Sequence, residues 1–111
     1  MQPELFDIVE LLSDIPKLNL KTGDRGAIVE KYSDRDYEIE FTNKDGETVA
    51  LCTLPFHKFI IVWQTKTQNW VSLSDRIAAI VQKLSEEKQQ EIFKLTPSFY
   101  EDKQETQINF C

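Results

Sequence analysis

The chain has one histidine and two cysteines, and it lacks any apolar run near the roughly 18 residues that a membrane span requires. Each shortage removes a class of function. His57, which follows Pro55-Phe56 in a polar turn, has no Cys/His companions, so no metal site is expected. Cys52 lies inside an apolar stretch and Cys111 is the last residue, a spacing that offers no disulfide framework. Cys52 reads as a small core residue and Cys111 as a free thiol. The ending Ile-Asn-Phe-Cys does not place a cysteine four from the end, so prenylation is not indicated. The N-terminal segment has no basic region followed by an apolar signal core, which points to a cytoplasmic protein.

Catalytic groups are equally sparse. No nucleophile, acid or base comes with supporting residues, so neither an enzyme nor a cofactor is expected. Gly23-Asp-Arg-Gly26 has the look of a phosphate loop, yet a strand follows it instead of a helix N-terminus, and the Lys-Ser/Thr pair is missing. The acidic row Glu30, Glu38 and Glu40 reads as a solvated sheet face and not as a cation site.

Acid is what the chain does have. The net charge is −6, and residues 1–63 carry 12 acidic and 7 basic side chains, a net of −5. Such a surface opposes polyanions and attracts a basic partner, which disfavours direct nucleic-acid binding. With 41% hydrophobic and 11% aromatic residues the chain can still fill one modest core.

Periodicity predicts how that core is built. Asp7–Leu12 reads as a first strand, although its apolar positions also suit a helical turn. Residues 13–22 form an irregular excursion in which Ile15, Leu18 and Leu20 dip into the core. Gly23 and Gly26 can take positive φ and turn the chain into Ala27–Tyr32. Tyr37-Glu-Ile-Glu-Phe41 alternates strictly, with Tyr37, Ile39 and Phe41 facing inward. Asn43-Lys-Asp-Gly46 is a turn into Thr48–Leu54, Pro55–Lys58 a tight 3₁₀-like turn, and Phe59–Trp63 the closing strand. Tyr32, Tyr37, Phe41, Phe56, Phe59 and Trp63 are read mostly as core aromatics. The fold expected is mainly β: a five-stranded SH3-like barrel over residues 1–63, followed by a C-terminal helical segment.

Residues 64–71 read as a polar linker and 72–95 as an amphipathic helical segment of one or two helices. Ser72 and Asp75 resemble a capping box, and Ser85-Glu-Glu caps a second start, with Glu86–Leu95 ending at Thr96-Pro97. Residues 96–111 are expected to be a mobile tail unless a partner orders Phe99, Tyr100, Ile108 and Phe110. Leu73, Ile77, Ile80, Val81 and Leu84 recur at spacings of three and four and form an apolar stripe that some protein surface should cover. With Trp63 and Trp70 they are the candidate partner-binding residues; Tyr32 is a further aromatic to watch.

Taken in order, Leu5-Phe-Asp-Ile-Val-Glu-Leu-Leu-Ser-Asp-Ile-Pro16, Leu20-Lys-Thr-Gly-Asp-Arg-Gly-Ala-Ile-Val29, Tyr37–Phe41 and Gly46–Leu54 resemble the bacterial family named domain of unknown function four-nine-two-six. The resemblance implies an SH3-like barrel and supplies no catalytic residues. Ser74–Phe93 is similar to a segment of domain of unknown function twenty-two eighty-one, which implies an antitoxin-like role. Two functions follow as expectations. One is an interaction module, an adaptor or antitoxin-like protein bound to a basic or toxin-like partner, or to itself. The other is a KOW-like module associated with nucleic-acid machinery, against which the interspersed Lys17, Lys21, Arg25, Lys31 and Arg35 weigh because they gather no basic face.

Overall fold

A computed structural model describes residues 1–100, and the chain divides into two compact units, Met1–Ile80 and Val81–Cys111. In the first, six strands form one antiparallel sheet: β1 (Ile8–Leu11), β2 (Arg25–Lys31), β3 (Asp36–Thr42), β4 (Thr48–Pro55), β5 (Phe59–Gln64) and β6 (Asn69–Trp70). The order across the sheet is β4-β3-β2-β1-β5-β6. The mainly β expectation holds, with two corrections. The sheet keeps two edges in place of a closed barrel, and the stretch read as linker contributes a sixth strand, pairing Trp63 with Trp70 and Gln64 with Asn69.

Alternation decides which side chains are buried. In β1, Val9 and Leu11 face the core while Ile8 and Glu10 stay half-buried, which settles this segment as a strand. Tyr37, Ile39 and Phe41 do the same in β3, as their spacing predicts. With Ile28, Phe59 and Ile61 they make a continuous cluster, each aliphatic or aromatic member contributing about 1.5–3 kcal/mol by leaving water. The rings of Tyr37 and Phe59 meet edge to face at 5.8 Å, and Phe59 meets Phe56 at the same distance. Three of the expected core aromatics lie outside this cluster: Tyr32 and Phe56 are exposed, and Trp63 is half-buried.

The excursion before β2 departs from expectation in one residue. Leu20 is buried and Ile15 packs against the core, but Leu18 is exposed, in a 3₁₀ turn, Pro16–Leu18, that has no buried residue. The two glycines of the turn also differ. Gly23 takes φ +94°, the left-handed region. Gly26 does not: its role is close approach, since a Cβ there would meet Ile39 Cγ2 at 2.7 Å and the Glu40 carbonyl oxygen at 2.8 Å.

Two helices follow. Ser72 caps α1 (Leu73–Val81), its hydroxyl accepting the Asp75 N–H at 3.2 Å, as the capping-box spacing predicts. In the second unit Ser85 caps α2 (Glu86–Phe99), accepting the Lys88 N–H at 3.3 Å, while Glu86 and Glu87 sit at its positive end. Here the expected stop fails: the helix runs through Pro97 to Phe99, so residues 96–99 are helical and not tail. Pro97 lacks the N–H that would bond the Phe93 carbonyl four residues back, and the Thr96 hydroxyl donates to that oxygen at 2.7 Å instead. Ile108, Phe110 and Cys111 lie outside the described residues.

Candidate interaction surface

The α1 stripe is exposed in the first unit. Leu73 is 70% exposed and Ile77 54%, and Ile80 is more than one-third exposed; no residue of α1 is buried. Val81 and Leu84, the other stripe positions, fall in the second unit and are half-buried. There the side-chain amide of Gln89 donates to the Val81 carbonyl at 3.1 Å and to the Leu84 carbonyl at 3.0 Å, and Leu84 N–H returns to the Val81 carbonyl. The five residues named from sequence are divided between the two units: Leu73, Ile77 and Ile80 are exposed in the first, and Val81 and Leu84 flank a hydrogen-bonded turn in the second.

Trp63 and Trp70 are brought together directly. They stand opposite each other on β5 and β6, and Ile8, Trp63's partner on the other side, stands opposite Ala27. Continuing through Glu40 to Leu51, one row crosses all six strands on the outer face of the sheet. Trp70 is 56% exposed. The Arg25 guanidinium sits 5.4 Å from its ring centroid while Nε contacts Glu10 Oε1 at 3.1 Å. A shallow groove of about 280 Å³ runs beside them, lined by Ile8, Arg25, Ala27, Glu40, Thr42 and Trp70. Sequence reading flagged the tryptophans and missed Ile8, Ala27 and Arg25; only strand register places these next to one another.

The acidic part of the surface is held by hydroxyls. Tyr32 Oη donates to Glu38 Oε1 at 3.0 Å, and that bond, followed by desolvation and the carboxylate charges of Glu38 and Glu30, pushes the phenol pKa up. Thr48 Oγ1 donates to Glu40 Oε2 at 2.6 Å. Cys52 is half-buried at the margin of the core, and burial, with Glu38 adding to it, raises its thiol pKa. His57 is exposed in the 3₁₀ turn Phe56–Lys58, beside a groove of about 380 Å³ lined by Arg35, Asp36, Pro55 and Phe56.

Among the described residues, no group of three or more His, Cys, Asp or Glu side chains is placed to hold a metal ion, and no helix is long and apolar enough to cross a membrane. No curated protein and no solved structure matches the chain. Residues 5–61, which hold β1 to β4 and the start of β5, match the family described as Domain of unknown function (DUF4926), and the chain belongs to that family.

Proposed function

We propose that the protein is a non-enzymatic protein–protein interaction module that binds a basic partner protein, as an adaptor or an antitoxin-like protein does. The observation that supports this reading is the open face of α1. Leu73, Ile77 and Ile80 stand in water in their own unit, and covering each one stabilises a complex by up to about 1.5–3 kcal/mol. Charge supports the partner's sign, since residues 1–63 carry a net −5.

The test is the double variant Ile77→Asp/Ile80→Asp. A partner captured from the native host is identified by mass spectrometry, purified, and titrated calorimetrically against both proteins. Because no α1 residue is buried, the variant should melt like the unmodified protein and lose at least tenfold in affinity, and binding should weaken as salt rises. Equal affinity for the two proteins removes the main support for this function. A change in light-scattering mass on mutation, without a partner, assigns the face to self-association.

A further inference from the structure

We infer that the free edge of β4 is a docking site for an extended segment of a basic partner protein, taken up as an added strand. This deepens the interaction reading above and rests on it.

The two edges of the sheet are unequal. β6 has two residues and offers an incoming strand almost nothing to follow, whereas β4 runs for eight, Thr48–Pro55, and is paired only to β3. Alternate residues of such an edge aim N–H and C=O away from the sheet, a template for another chain. Edge strands are ordinarily guarded by lysine, proline, bulges or inward charges. In β4 the register shift falls at its start, where Phe41 pairs with Ala50 and Thr42 with Thr48, and the proline is its last residue. Ala50 to Leu54 carries neither guard and no charge.

The edge is also apolar on both faces. Val49 and Leu51 are 55% and 53% exposed, and on the inward side Cys52 is only half-buried, so the margin of the core is open here. A strand laid along β4 with apolar residues on one face covers that margin. Main-chain bonds supply its attachment and the alternating side chains its selectivity.

Charge chooses the occupant. Glu38 and Glu40 stand on β3 opposite Thr53 and Leu51 of β4. Thr48 draws the Glu40 carboxylate toward β4, and neither glutamate belongs to the ion pairs found among the described residues, Arg25–Glu10 and Lys31–Asp34. Lysine or arginine on the outer face of an added strand reaches over β4 toward them. A second copy of this chain brings no such cation, because Thr48–Pro55 is uncharged and its own Glu38 and Glu40 would approach the first pair.

The probe is a synthetic peptide of alternating lysine and valine, beside a counterpart with glutamate for lysine. Fluorescence anisotropy reads affinity and NMR amide exchange reads location. The lysine peptide should bind, slow exchange across Ala50–Leu54, and lose about three- to tenfold in affinity for Glu38→Gln/Glu40→Gln, the sum expected of two exposed ion pairs. High salt should do the same to the unmodified protein, which keeps the test independent of how the variant folds. Equal binding of both peptides, or protection confined to β6 or α1, overturns the inference; so does protection of β4 without peptide that grows with protein concentration, which assigns the edge to a second copy. Should the native partner bind through Ile77 and Ile80 while β4 exchange stays unchanged, the edge site fails and the interaction module stands. Should the peptide protect β4 while no partner protein binds, the module fails and the strand site stands.

Discussion

The buried carboxylate of Asp7 accepts the backbone N–H of Thr65 at 2.9 Å, fastening two positions 58 residues apart in sequence. Its other oxygen accepts the Glu4 N–H at 2.9 Å, and its carbonyl takes the N–H of Ile28 at 3.0 Å. One residue thus gathers the segment before β1, strand β2 and the turn after β5. The side chain is buried and its two oxygens each meet a backbone donor, so burial leaves no polar atom of it unsatisfied.

Asp7→Ala should therefore cost about 1–3 kcal/mol, as two part-buried N–H groups lose their acceptor. Asp7→Asn keeps one carbonyl oxygen and should cost less. Urea denaturation of both variants checks this; equal losses would contradict it and show that neither the retained shape nor a single amide oxygen replaces the two carboxylate oxygens.

At Gly26 the difficulty is space. Ile39 Cγ2 can give way, but the Glu40 carbonyl oxygen at 2.8 Å belongs to the backbone of the neighbouring strand. Gly26→Ala should destabilise by about 1–3 kcal/mol through local separation of β2 from β3. Gly23→Ala meets no atom within 4 Å and should cost about 1 kcal/mol from its φ of +94°. Thermal melts that rank the two variants the other way would contradict this account.

In α2, Pro97→Ala restores an N–H for the Phe93 carbonyl and should raise the helical signal in circular dichroism. Thr96→Val should lower it, because the hydroxyl that now serves that carbonyl is gone. In the Pro97→Ala background the Thr96→Val effect should shrink. Additive effects would mean that the two residues are not linked through Phe93.

The loop before β2 carries a pH dependence. The backbone N–H of Thr22, at 2.7 Å, and then its hydroxyl, at 2.8 Å, hold the Asp14 carboxyl below the usual carboxylate range. A depressed folded pKa stabilises the fold above the unfolded value and loses that effect as pH falls through the folded value. Stability should thus decline below about pH 4 with a component that Asp14→Asn removes. Denaturant midpoints for both proteins between about pH 5 and pH 2 measure it. Parallel acid limbs would show that Asp14 does not contribute.

Sequence periodicity reaches the elements whose signals are local. Alternation through Tyr37, Ile39 and Phe41 predicts β3, and the hydroxyls of Ser72 and Ser85 predict two helix starts. What it misses depends on remote neighbours. β6 is two residues long and exists because Trp70 finds Trp63; no alternation fits in so short a strand. The role of Gly26 depends on β3 lying against it, and Pro97 remains helical through a side-chain bond that no propensity scale includes. The surface was half legible for the same reason. Ile77 and Ile80 announce themselves by spacing, while the neighbourhood of Ile8, Ala27 and Trp63 emerges only when strands far apart in sequence meet.

The order of strands across the sheet carries a consequence in time. β2, β3 and β4 are joined by short turns, whereas β1 must find β5, with Val9 opposite Ile61. The longer loop costs more entropy to close and gains its contacts only once closed, so the β2–β4 meander is expected to organise before β1 joins β5. Under that order Asp7→Ala should speed unfolding and leave the folding rate nearly untouched, while Gly26→Ala slows folding. Rates measured against urea separate the two; if Asp7→Ala acts mainly on the folding arm, the long-range pair is made early. On the expected order β1, first along the chain, comes after β2, β3 and β4 and brings β5 and β6 into the sheet with it.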